Sequence, residues 1–148
     1  MPQLANVVIN DGAATPVART FSPGLKGTDG MQRWFEKTSV NAIGFWTLGQ
    51  KFREPLTPKG GVRSSDQSRM YQTTIKVQLP VLETTSAATG TGIPPAPTVA
   101  YTPWVEVTFS LPERSTVQDR KHLRLLLINY LSHANAVATI EQLEPIFG

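Results

Sequence analysis

Apolar and polar residues alternate along three stretches of the chain. From Trp104 onward Val105, Val107, Phe109 and Leu111 fall on one side, with Glu106, Thr108 and Ser110 between them. Thr73, Ile75, Val77 and Leu79 alternate in the same way with Gln72, Thr74, Lys76 and Gln78. Earlier still, Trp46, Leu48 and Phe52 share a side with Gln50, while Phe45, Thr47, Gly49, Lys51 and Arg53 take the other. A period of two is that of a strand. Three strands, each half apolar and half polar, describe an antiparallel sheet with one covered face and one open face. Trp104 is the anomaly, because its position puts it on the polar side with Glu106, Thr108 and Ser110.

The flanking segments complete the pattern. Residues 1–21 predict a hairpin about the turn signal Asn10-Asp11-Gly12. Residues 22–30 are a loop rich in glycine and turn formers. "MQRWFEKT" and "IGFWTLGQKF" predict strands with aromatic content, and the Pro- and Gly-containing run 54–67 predicts a connection. The sheet therefore occupies 31–111, interrupted by a long loop at 84–98, "TTSAATGTGIPPAPT". Loops of that length inside a domain are usually functional or disordered.

After Pro112 the period changes. Ser115 with Gln118 three residues on is a capping-box pattern and predicts a helix from Thr116. Leu123, Leu127, Tyr130 and Leu131 lie near one side of it, and Leu125, Leu126 and Ile128 widen the apolar arc. "SHAN" breaks this helix. Asn135 is placed to cap a second, striped by Val137, Ile140 and Leu143 and ended by Pro145, so that two helices fill 115–144. Strands precede helices, which predicts an α+β fold in one domain over 1–148. A helix apolar on so many sides needs more cover than a single sheet face provides, and the pattern predicts an obligate homodimer whose helices lie across the partner's sheet.

Composition narrows the function. Charged residues make up 17% of the chain, against a usual ~25%, which suits a surface that meets other chains. The net charge of +3 is unevenly spread. Residues 31–76 hold eight Lys and Arg against three acids, a block suited to a polyanion. No apolar run of ~18 residues predicts a membrane span. Met1-Pro2-Gln3-Leu4 has no basic segment leading into an apolar one, so a secretory signal is not expected; the chain reads as one made in a cytoplasm. It has no cysteine and so no thiolate chemistry.

Catalytic patterns are lacking. His122 and His133 have no Cys, Asp or Glu at ligand spacing, and no nucleophile elbow or phosphate-binding glycine loop occurs. Glu36 and Glu106 could be imagined as a carboxylate pair, but nothing in the sequence brings them together. Neither an enzyme nor a metal or organic cofactor is expected. The open sheet face does carry usable chemistry: Thr47, Lys51, Arg53, Thr74, Lys76, Gln78, Trp104 and Glu106. Lysine and arginine neutralise phosphates, threonine and glutamine bond base edges, and an exposed aromatic can stack on an unpaired base. Glu106 would repel phosphate but can accept a bond from a base amino group.

The strings "RMYQTTIKVQLP" (69–80), "VEVTFSLPERST" (105–116) and "TIEQLEPIFG" (139–148), in this order and spacing, resemble the coat proteins of small single-stranded RNA bacteriophages, the leviviruses. The resemblance is close over 69–148 apart from the loop, and architectural over the first half. It implies an N-terminal hairpin, a five-stranded antiparallel sheet and two C-terminal helices, in an interlocked homodimer with a continuous ten-stranded sheet. It implies assembly into an icosahedral virion shell around the viral RNA, with a single-copy maturation protein as a further partner. It also implies that a genomic hairpin binds the open face, repressing replicase translation and marking the genome for packaging.

By the same resemblance, Thr74, Lys76, Thr47 and Lys51 fall at RNA-contacting positions. Trp104 stands where relatives have a base-stacking tyrosine, Glu106 where the nearest group has aspartate, and Gly49 where serine is common. Thr84, Gly90, Gly92, Pro94, Pro95 and Pro97 belong to the loop that joins neighbouring dimers. Leu123, Leu127, Tyr130, Leu131, Ile140 and Leu143 would form the dimer core. The alternative is a dimeric RNA-binding translational regulator that does not assemble.

Overall fold

The alternating stretches form strands in the computed structural model of the chain, which describes residues 4–55, 69–84 and 95–147. The chain divides into two units, residues 1–55 with 71–110 and residues 56–70 with 111–148. The first holds most of an antiparallel six-stranded sheet of order β1-β2-β3-β4-β5-β8. Its strands are β1 (Val7–Asn10), β2 (Ala18–Pro23), β3 (Gln32–Glu36), β4 (Trp46–Arg53), β5 (Met70–Gln78) and β8 (Trp104–Pro112).

The hairpin forms where the turn signal places it, with Asn10 opposite Ala18. It is not a separate appendage. Phe21, Ser22 and Pro23 of β2 pair with Glu36, Phe35 and Trp34 of β3, so the hairpin extends the sheet. Its turn is organised by Asp11, whose carboxylate accepts from the Val17 amide at 2.9 Å, the Ala13 amide at 3.3 Å and Arg19 Nε at 2.9 Å. These bonds, the Val17 amide foremost, hold the Asp11 carboxyl below its ordinary value. Arg19 in turn lies 5.1 Å from the Trp46 ring centre.

The strand expected from Ile43 begins three residues later. Ala42–Gly44 form one 3-10 turn, closed by the Gly44 amide on the Asn41 carbonyl at 2.9 Å. Gly44 is buried there, and a Cβ on it would meet Leu82 Cδ1 at 3.0 Å. The long loop also has a feature that the pattern did not reveal. Two short strands, β6 (Val81–Leu82) and β7 (Val99–Tyr101), pair antiparallel at its base. Pro80 and Pro103 lack an amide proton and separate this ribbon from the β5–β8 ladder. The Leu79 amide spans the gap to the Pro103 carbonyl at 2.9 Å. Glu83 and Thr98 then clamp the loop, through the Glu83 amide on Thr98 O at 2.9 Å and Thr98 Oγ1 on Glu83 Oε2 at 2.6 Å.

In the second unit, α1 spans Val117–Leu131 and α2 spans Ala134–Glu141. The cap of α1 is Thr116 and not Ser115. Thr116 Oγ1 accepts from the Asp119 amide at 3.1 Å, and Asp119 Oδ2 accepts from the Thr116 amide at 2.9 Å. Ser115 Oγ is engaged in the preceding turn, donating to Pro112 O at 2.7 Å. The cap of α2 is His133, two residues before the expected Asn135: His133 Nδ1 accepts from the Asn135 amide at 3.3 Å. That helix ends at Glu141 with Gln142 as its C-cap, before Pro145, and Leu143 beyond it takes a positive φ of 57°. Leu143 is therefore outside the helix whose stripe it was expected to join.

Little apolar surface is buried. Among the described residues the buried apolar side chains are Phe21, Met31 and Ala136. No residue of α1 is buried, and Leu123, Leu126, Tyr130 and Leu131 are exposed, Leu126 to 67%. Ile140 of α2 and Leu143 are exposed as well, whereas Leu127 is half-buried.

Two outcomes follow from these local structures. Thr116→Ala removes the cap and lowers the unfolding free energy by about 1 kcal/mol, measurable by urea denaturation. The stability difference between wild type and Asp11→Ala is full above the ordinary aspartate value of ~3.9 and shrinks as pH falls through the lower folded value. Parallel melts across that acid range read this difference.

Candidate nucleic-acid interface

Strand register decides which side chains meet on the polar face. Thr47, Gly49, Lys51 and Arg53 of β4 stand opposite Gln78, Lys76, Thr74 and Gln72 of β5. On the other flank Gly49 is opposite Arg33 and Thr47 opposite Phe35 of β3. Contacts then tie β5 to β8. Thr74 Oγ1 and Thr108 Oγ1 share a hydrogen bond of 3.1 Å, and Lys76 Nζ lies 4.0 Å from Glu106 Oε2. The same ammonium sits 5.0 Å from the centre of the Trp104 ring. All eight side chains expected on the open face thus share one face of the sheet. Trp104 is 63% exposed on it.

Thr47, Lys76, Gln78 and Glu106 line a shallow pocket of about 140 Å³ together with Asp29, Met31, Arg33 and Gly49. Lys51, Arg53 and Thr74 continue the face along β4 and β5. Arg33 and Asp29 were missed in the sequence. Arg33 shares its side of a five-residue strand with apolar Phe35, so the strand shows no polar side. Asp29 sits in the preceding loop, where it accepts from the Met31 amide at 3.0 Å and from Arg33 Nη2 at 2.9 Å. The amide bond first, then the Arg33 charge and hydrogen bond, hold its carboxyl below the ordinary value.

Gly49 has a packing reason. It is buried, and a Cβ there would collide with Met31 Sδ and come within 3.0 Å of Met31 Cγ. Met31 occupies the floor of the pocket where a serine side chain would otherwise stand.

Other candidates resolve simply. Glu36 is buried on the opposite face, paired across the sheet with Trp46 and Phe21, and accepts from Thr38 Oγ1. It therefore cannot act with Glu106. His122 bonds Gln118 at 2.9 Å, and His133 caps α2 while stacking on Tyr130 at 6.4 Å. Among the described residues no three His, Cys, Asp or Glu gather as a metal site, and no helix is long and apolar enough to cross a membrane. Of the loop residues, Thr84, Pro95 and Pro97 are exposed; Gly90, Gly92 and Pro94 lie outside the described residues.

The architecture is an antiparallel sheet fed by an N-terminal hairpin, polar on one face, with two helices following in the chain. The family model described as levivirus coat protein matches residues 2–147, and the chain belongs to that family. It is similar to the protein of the virus-like particle of bacteriophage ESE058, at 33% identity with a TM-score of 0.86, covering 99% of this chain and 100% of that one. The protein of the virus-like particle of bacteriophage NT-214 is 26% identical, with a TM-score of 0.80 and the same coverage. A bacteriophage coat protein described as an unassembled RNA-binding dimer shares the fold at 16% identity and a TM-score of 0.60, over 98% of both chains. A comparison with curated proteins found no match. The chain is thus a structural capsid protein and not an enzyme.

Gly49→Ser tests the account of the pocket floor. Forcing a side chain against Met31 costs about 1–3 kcal/mol of stability, read as a lower midpoint in denaturant. The double variant Gly49→Ser/Met31→Ala regains part of that loss by vacating the floor.

Proposed function

We propose that the chain forms a homodimer, that dimers assemble into an icosahedral shell around a viral single-stranded RNA, and that the polar sheet face binds a hairpin of that RNA. Binding there would repress translation of the replicase message and mark the genome for packaging. The observation that carries this reading is the exposed Trp104 ring, flanked by Glu106 and Lys76 on a face that also presents Lys51, Arg53, Thr47, Thr74 and Gln78. A ring so placed can stack on an unpaired base while the cations neutralise the backbone.

Dimerisation is supported from the opposite direction. Phe52 and Val105, on the apolar side of the sheet, are exposed, as are the apolar residues of α1. Among the described residues, strand β8 stands at the edge of the sheet order, with one side free to pair. Two copies joined along β8, each laying its helices across the partner's sheet, would cover these surfaces in an interlocked dimer. Similarity to proteins of virus-like particles supports the shell, and the fold shared with an RNA-binding dimer supports the role of the polar face. Thr84 and residues 95–98, exposed beside the β6–β7 ribbon, suit contacts between dimers, and a single-copy maturation protein would complete the virion.

Negative-stain microscopy of the purified protein tests assembly: uniform hollow particles appear without added genome. Dimers alone over a range of salt and RNA would instead mark a non-assembling regulator. For the RNA face, Trp104→Ala weakens binding of a hairpin with an unpaired loop base by about 1–3 kcal/mol, roughly 5- to 150-fold. Equal affinities for variant and wild type would remove the stacking role.

A further inference from the structure

The four cations of the polar face are not equivalent. Arg33 is held by Asp29 at 2.9 Å. Lys76 is held twice, by Glu106 at 4.0 Å and under the Trp104 ring at 5.0 Å. Among the described residues, Lys51 and Arg53 have no ionic partner within bonding distance. They stand on β4 opposite Thr74 and Gln72, which carry no charge.

We propose that Lys76 is a positioning residue that sets Trp104 and Glu106 for one loop base, and that Lys51 and Arg53 supply the phosphate-neutralising charge. This rests on the reading of the face as an RNA site. A single ammonium serves both contacts, so ordering one lysine side chain orients two neighbours, and drawing it off to a phosphate would forfeit both. With the ammonium on one side of the ring, the other side is left for a base. Glu106 is two residues from Trp104 on the same face of β8, so its carboxylate lies near the edge of a base stacked there. A carboxylate only accepts hydrogen bonds, so the base selected is one that offers an amino group: cytosine, adenine or guanine rather than uracil. The lysine also cancels the charge of Glu106, which would otherwise repel the RNA backbone.

The role is separable from that of a phosphate anchor by salt dependence. Each phosphate contact contributes about 0.7–0.9 to the slope of log affinity against log salt. A hairpin is first selected from a random-loop pool on wild-type dimers, and a copy with its stacked loop base made abasic is prepared. Both are titrated between ~50 and ~200 mM salt against wild type, Lys51→Gln, Arg53→Gln, Lys76→Arg and the double variant Lys76→Gln/Glu106→Gln, which leaves the net charge unchanged. Circular dichroism verifies that each variant folds.

Lys51→Gln and Arg53→Gln should each flatten the slope by about 0.7–0.9 and weaken both hairpins alike. The double variant should keep the wild-type slope, lose roughly tenfold on the intact hairpin and bind the abasic one as wild type does. Lys76→Arg, which keeps the charge and the stacking cation, should retain binding. A flattened slope in the double variant, or an equal loss on both hairpins, would overturn the positioning role. Failure of the wild type to bind any selected RNA would overturn the RNA reading itself, and the positioning role with it.

Discussion

The structure depends on an apolar sheet face and an apolar helix pair that the single chain leaves open. Phe52, Val105, Leu126 and Tyr130 are all exposed, and no side chain of α1 is buried. Burying one Leu or Phe side chain contributes about 1.5–3 kcal/mol, while a whole domain is stable by only ~5–15 kcal/mol. The open surfaces of α1 alone therefore represent free energy comparable with the total stability of a folded protein. In the proposed dimer a second copy would supply the matching surfaces in the right number, because each chain brings both a sheet to be covered and helices to cover one. In this account the dimer is the folding unit.

The same constraint frees the other face. In the proposed dimer a partner chain covers the apolar side of the sheet, and the polar side carries charge and one exposed aromatic. Its ion pairs are exposed and individually worth little, ~0–1 kcal/mol, so they serve geometry more than stability. Arg33–Asp29 ties β3 to the loop before it, and Lys76 ties β5 to Trp104 and Glu106 of β8. Met31, seated over Gly49, gives the pocket between these pairs an apolar floor.

The faces of β4, β5 and β8 were legible in the sequence because a two-residue period allows only two assignments per strand, and a slip would expose Leu48, Val77 and Val107 together. The hairpin was legible from Asn10-Asp11-Gly12. Caps were less so: Ser115 with Gln118 and Thr116 with Asp119 both fit a capping box, and only the turn that engages Ser115 separates them. The β6–β7 ribbon escaped because two or three residues cannot display a period. Lys76 was readable as a cation on the right face, but its two partners arise from register across β5 and β8, which no local pattern encodes. Arg33 and Asp29 were hidden for the same kind of reason, one on a short strand and one in a loop.

The claim that the dimer is the folding unit is tested most directly by equilibrium unfolding of dissociated protein, too dilute to form shells, over a hundredfold range of chain concentration. If folding requires the partner, the denaturation midpoint rises steadily with concentration, and loss of helical signal coincides with loss of the dimer. A midpoint independent of concentration, with a folded monomer surviving dissociation, would contradict the account.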